Sequence, residues 1–217
     1  MNKLFVLYED ISNVKLWTKL CASVVKGDLV VINPDSGPGS AKYSDNKKWD
    51  ACSKEIMKHG GIPLAYVDCY NAVWNSRLKD WVLSKKSEQQ LKTEINLYFA
   101  RYPILSTSGF FIDDYPNNDY SHPIYQIEKS MLVGKFLVAN YGDVPTVKSD
   151  TLTSCNVSVC HETNGIPRSK PRINRKTAAI VMGGVSKNYL DLQSQGWDYG
   201  VVYKNKDGKE PFLTLPI

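Results

Sequence analysis

The chain has 217 residues, with 27 Lys and Arg against 22 Asp and Glu for a net charge of +5, and 42% of its residues are hydrophobic. That length accommodates one domain, or two small ones, with enough apolar content to bury a core without covalent staples. Ordinary charge density and modest Gly and Pro content exclude a disordered, collagen-like or coiled-coil chain.

Residues 4–8 read as a first strand, and the acids Glu9 and Asp10 follow it at once. This apolar run is too short for a secretory signal, whose core needs about 7–15 apolar residues. No stretch approaches the roughly 20 apolar residues of a membrane span. The expectation is a chain without a signal peptide or membrane partner, cytoplasmic as synthesised, reaching any external target with a virion or after lysis. Ser12 is the expected N-cap of a helix over residues 13–25, before a second strand at 28–33. A helix over 45–59 stops at Gly60–Gly61, and a third strand spans 64–68. The long connection that follows carries Trp74 and Trp81, seven residues apart, read as helical packing or as sugar-stacking platforms. The clearest helix covers 87–102, with Leu91, Ile95, Tyr98 and Tyr102 along one side.

Further strands are expected at 109–113, 135–140, 156–160, 177–182 and 199–203, with helices at 120–133 and 186–195. All eight strands are near-continuous apolar runs, as parallel strands covered on both faces should be. Strands alternating with helices predict a trimmed (β/α)8 TIM barrel, with a doubly wound open sheet as the alternative. Two helical slots look degraded: 143–154 allows barely two turns, and 163–175 is too rich in Pro and Gly. Neither an internal repeat nor a domain boundary is visible, so residues 1–217 read as a single domain. No GxGxxG follows the first strand, no P-loop or GxSxG elbow is present, and no cofactor is expected.

In such a barrel, functional groups come from the C-terminal strand ends. Those ends carry Asn33, then Asp68 and Tyr70, then Asp113 and Asp114, then Asn140, and finally His161 and Glu162. Asp113 and Glu162 sit on alternate strands, so inward-facing carboxylates there would meet across the mouth, the minimum equipment for glycosidic cleavage. Adjacent residues of a strand point to opposite faces. If Asp113 points inward, Phe111 shares its face, Phe110 and Ile112 point outward, and Asp114 lies on the rim.

His59, His122 and His161 lack zinc-site spacing relative to the five cysteines, and no metal is expected. With no CxxC pair and an odd number, the cysteines read as buried thiols. The net charge resides in one segment. Removing Arg168, Lys170, Arg172, Arg175 and Lys176 leaves 22 positive against 22 negative residues. No nucleic-acid motif accompanies that segment, so no nucleic acid is expected as partner. The segment reads as a solvated loop or as a contact for an anionic ligand or partner. The sequon Asn156–Val157–Ser158 is expected to be unused on a buried strand.

The stretch VVINPDSGPG (residues 30–39) closely resembles the signature of the spherulin-4-like proteins, in which Asn-Pro-x-Ser-Gly-Pro-Gly follows the second barrel strand. GIPLAYVDCY (61–70), GFFIDD (109–114), LVANYG (137–142), VCHE (159–162) and the ending PFLTLPI are similar to further family segments, in the same order. The resemblance implies a (β/α)8 glycoside hydrolase fold and a polysaccharide or oligosaccharide partner. Characterised members include endo-acting enzymes on α-1,4-linked N-acetylgalactosamine or galactosamine polymers. It further implies Asp113 as the first catalytic carboxylate and Glu162 as its partner, with Asp114 in place of the family's adjacent Glu. Asn33, Tyr66, Tyr70 and Asn140 then line the sugar cleft, with Asp68 at the end of the third strand. A second reading keeps the fold and loses the chemistry: a silent barrel that binds carbohydrate or serves as a structural part of a virion or cell wall.

Overall fold

A computed structural model describes residues 1–39, 46–184 and 186–203; the ending PFLTLPI lies outside the described residues. Eight short apolar strands pair side by side, all parallel, and close on themselves. In chain order the elements begin with β1 (Asn2–Leu7), α1 (Val14–Ser23), β2 (Leu29–Ile32), α2 (Asn46–Lys58) and β3 (Ile62–Asp68). A hairpin follows, β4 (Tyr70–Asn75) and β5 (Asp80–Lys85), then α3 (Glu88–Arg101), α4 (Pro103–Ser108) and β6 (Gly109–Asp113). The chain continues through α5 (Ile124–Ser130), β7 (Phe136–Asn140), α6 (Val147–Leu152) and β8 (Val157–Asn164). It then forms β9 (Lys176–Met182), α7 (Ser186–Ser194) and β10 (Tyr199–Val202). The barrel order is β1, β2, β3, β6, β7, β8, β9, β10, and Asn2 against Tyr199 closes the ring, which rules out the open sheet.

Both faces of each strand are buried, which explains the unbroken apolar runs. Leu4, Val6, Leu29, Val31, Leu64, Phe111, Val138, Val157, Ile180 and Val201 fill the interior. Phe5, Val30, Ile32, Val67, Phe110, Ile112 and Leu137 face outward against the helices. Phe111 inward with Phe110 and Ile112 outward is the alternation expected from sequence. Helix α3 is closed at its start by a reciprocal capping box between Ser87 and Gln90. It fully buries Leu91 and Ile95, a contribution of about 1.5–3 kcal/mol for each, and buries Tyr98 with them.

The structure corrects the sequence reading in several places. Asn13, not Ser12, caps α1, its side chain accepting from the Leu16 amide. Trp74 and Trp81 are not on a helix: they are directly paired across the antiparallel β4–β5 ladder. The short helix α4, opened by Pro103 at its first position, was not anticipated, and α5 is shorter than expected. Slot 143–154 does hold only six helical residues, and 165–175 holds no helix. Asn156 of the sequon precedes β8 and is exposed, its Oδ1 accepting from the Leu137 amide, whereas Ser158 is fully buried. All five cysteines are free and buried. Among the described residues no helix is long and apolar enough to cross a membrane.

Gly109 opens β6 where no side chain fits. A Cβ there would lie 2.1 Å from the Phe136 carbonyl oxygen and 2.9 Å from Leu64 Cδ2. Because the nearer obstacle is backbone, Gly109→Ala must part β6 from β7, and a loss of about 1–3 kcal/mol or more is expected. A lowered urea midpoint at unchanged m-value checks it; an unchanged midpoint would contradict the close approach.

Candidate active site at the barrel mouth

Neighbouring residues in parallel strands share a face, so strand register decides which polar groups reach the mouth. Asp113 ends β6 opposite Asp68 of β3, both continuing the inward rows of Phe111 and Tyr66. Asn140 ends β7 in the row of inward-facing Val138. Glu162 is different. Plain alternation from Val157 and Val159 would send it outward. Between Val159, paired with Ala178, and His161, paired with Ala179, the register shifts, so Cys160 is an extra residue. Cys160 lies in the outer core, and the β-bulge brings Glu162 opposite inward-facing Ile180. One inserted residue thereby turns the carboxylate into the barrel.

The side chains meet there. Asn140 Nδ2 donates to Asp113 Oδ1 at 2.7 Å and, through a short bond, to Glu162 Oε2. Its own Oδ1 is fixed by the Gly142 amide at 3.0 Å, which sets the amide's orientation. Tyr66 donates to Asp113 Oδ2 at 2.7 Å, Tyr8 to the same oxygen at 3.3 Å, and the Asp114 amide to Oδ1 at 3.0 Å. Asp113 thus accepts from four donors, the arrangement that suits an anionic carboxylate. Burial, then the charge of Asp113, pushes both phenols above their ordinary range, so both keep the proton they donate.

Glu162 is pushed up to about 7, first by burial, then by the charge of Asp113, with the Asn140 bond opposing and Asp114 adding to the rise. Asp68, whose Oδ1 accepts from the Tyr70 amide, is pushed up to about 6 by burial, with Asp114 and Asp113 adding and Lys86 opposing. Asp114 stands exposed on the rim in the left-handed region at φ 46°. Partial burial and then Asp113 raise its carboxyl. An Asp at positive φ is uncommon and stores modest strain.

The structure brings together Asp113, Glu162, Asn140 and Tyr66, with Asp68 beside them. Asn33 lies at the edge and accepts from the Gly37 amide at 3.0 Å, folding the SGPG turn. Arg101 and Tyr102, at the end of α3, donate to the Pro38 carbonyl and Arg101 also to that of Gly39, clamping this turn from behind. A groove of about 240 Å³, lined by Tyr8, Asn33 and Asp35 among others, leads away from Tyr8. Tyr70 does not join the carboxylates: its ring lies 5.4 Å from that of His122, against the outer core. Tyr8 was missed, although it continues the inward row of Leu4 and Val6.

The basic segment runs down the wall. Lys170 pairs with Asp198 at 2.8 Å just before β10, and Arg175 pairs with Asp150 at 2.7 Å and donates to the Cys155 carbonyl just before β8. These charges sit at the lower end of the barrel and carry no information about substrate. His161 contacts the Gly165 carbonyl at 3.0 Å, and Cys69 is buried in the outer core. Among the described residues, no group of three or more His, Cys, Asp or Glu is placed to hold a metal ion.

Residues 4–188 match the family model of Spherulin4, spherulation-specific family 4. The chain belongs to that family. No curated protein matches the sequence. Among solved structures, this Spherulin4 barrel is similar to Aspergillus clavatus Sph3, crystallised in complex with GalNAc, with a TM-score of 0.70. Identity is 15%, with 99% of this chain and 92% of that chain covered, so the likeness is one of fold.

Proposed function

We propose that this Spherulin4-family barrel is a glycoside hydrolase that cuts within a polymer of N-acetylgalactosamine or galactosamine, with Glu162 and Asp113 as its two carboxylates. The observation that carries the reading is the single amide nitrogen of Asn140 bonded to both of them. Two hydrogen bonds from one nitrogen keep the nearest oxygens within about 6 Å. That spacing favours a retaining mechanism, for which carboxyl groups lie about 5–5.5 Å apart, over an inverting one at about 6.5–9.5 Å. The two environments also differ, as acid and nucleophile require. Glu162, protonated to a substantial extent near neutrality, gives its proton to the leaving oxygen. Asp113, held by Tyr66, Tyr8 and Asn140, attacks the anomeric carbon. Glu162, now ionised, then takes a proton from the water that releases the sugar. The choice of sugar rests on family membership and on the GalNAc bound by Sph3.

The test is the pH dependence of reducing-end release from an α-1,4-linked N-acetylgalactosamine oligomer. Because Glu162 must be protonated, the rate falls as pH rises through about 7. A rate undiminished at pH 9 would remove Glu162 from the acid role. The silent barrel is the second reading, favoured by the exposed Asp114 standing where the family has Glu. It is adopted if the oligomer binds and is never cut.

A further inference from the structure

On the outer wall, away from the barrel mouth, helices α1 and α2 flank a groove of about 450 Å³ lined by Ile11, Trp17, Lys48 and Glu55 among others. Cys21 of α1 and Cys52 of α2 both line it, and their sulfur atoms are 3.6 Å apart. Each side chain is buried but touched by solvent, at 6% and 8% exposure. The other three cysteines turn elsewhere. Cys69 is wholly buried, Cys155 contacts Ser158 and Arg175, and Cys160 donates to the Ser158 carbonyl.

A disulfide needs sulfurs about 2.0 Å apart, so closure asks the pair to approach by roughly 1.6 Å. We propose that Cys21 and Cys52 form a reversible dithiol–disulfide pair, oxidised by exchange with a low-molecular-weight disulfide entering the groove, and that the bond staples α1 to α2. The roles of the two thiols are unequal. The hydrogen bond from Cys52 favours the Cys21 thiolate and lowers its titration, whereas the same bond, followed by burial, raises that of Cys52. Cys21 loses its proton to water and attacks one sulfur of the external disulfide, expelling one thiolate and leaving a mixed disulfide on Cys21. Cys52 then gives its proton to solvent and attacks Cys21 Sγ, expelling the second thiolate. Two protein thiols become one disulfide, and the external disulfide is reduced to two thiols. The ring so closed, residues 21–52, contains β2 and the SGPG turn at the mouth. Cross-linking restricts the unfolded chain, so the oxidised form melts higher, by roughly 5–10 °C.

The test incubates the full chain with excess oxidised glutathione, blocks residual thiols in acid, and maps the peptides without reduction. The expected result is loss of two of the five thiols, a Cys21–Cys52 cross-linked peptide, and full recovery with dithiothreitol. Cys52→Ser should stop at a stable glutathione adduct on Cys21, and Cys69→Ser should behave as wild type. Five remaining thiols, a persistent adduct on wild-type Cys21, or a cross-link through another cysteine would each overturn the proposal.

Discussion

Glu162→Gln is expected to leave the barrel folded while lowering turnover of a natural glycosidic bond by about 10²–10⁴-fold, the usual contribution of a general acid. Gln keeps the size of the side chain and still offers an oxygen to Asn140 Nδ2, so the network around Asp113 survives. What it lacks is a proton to give. The loss should depend on the leaving group. An aryl glycoside with an acidic phenol departs with little protonation, and its cleavage should fall much less than that of the oligomer. Equal losses on both substrates would instead assign Glu162 to positioning.

Asp113→Asn should abolish activity more thoroughly, by about 10³-fold or more, because no nucleophile remains. It also disturbs the site in a way that can be read without turnover. Donors point at both oxygens of Asp113, Asn140 at one and Tyr66 and Tyr8 at the other. An amide in their place must aim its own NH₂ at one of them, an unpaired arrangement costing about 1–3 kcal/mol. The charge of Asp113 raises Glu162, so its removal should move the Glu162 titration below about 7. A carbon-detected NMR titration of that carboxyl would follow the change. An unmoved midpoint would mean that burial and Asp114, without Asp113, hold Glu162 up.

The barrel was legible because its physical signature is simple. Strands covered on both sides read as apolar runs, and helices ended where Gly60 and Gly196 adopt positive φ. That Asp113 and Glu162 both lie at the mouth was legible in part, since strand ends mark it. What escaped was local and depended on pairing. A seven-residue interval between Trp74 and Trp81 fits two helical turns as well as opposite positions on a hairpin, and only the β4–β5 ladder distinguishes them. The bulge at Cys160 leaves no pattern in VSVCHETN, yet it determines that Glu162 rather than His161 faces inward. Tyr8 stood in plain alternation with Leu4 and Val6 at the end of the expected strand, and escaped because its ring reads as one more apolar residue of the run. Tyr70, which the family resemblance assigns to the sugar cleft, stands apart from the carboxylates because the hairpin begins there.

The most direct test is mass spectrometry of an α-1,4-linked N-acetylgalactosamine oligomer after incubation with wild type, Asp113→Asn and Glu162→Gln, each first verified as folded by circular dichroism. Internal fragments from wild type, absent with Asp113→Asn and sharply reduced with Glu162→Gln, are the predicted result. Fragments released at the wild-type rate by either variant would contradict the two-carboxylate site at the barrel mouth.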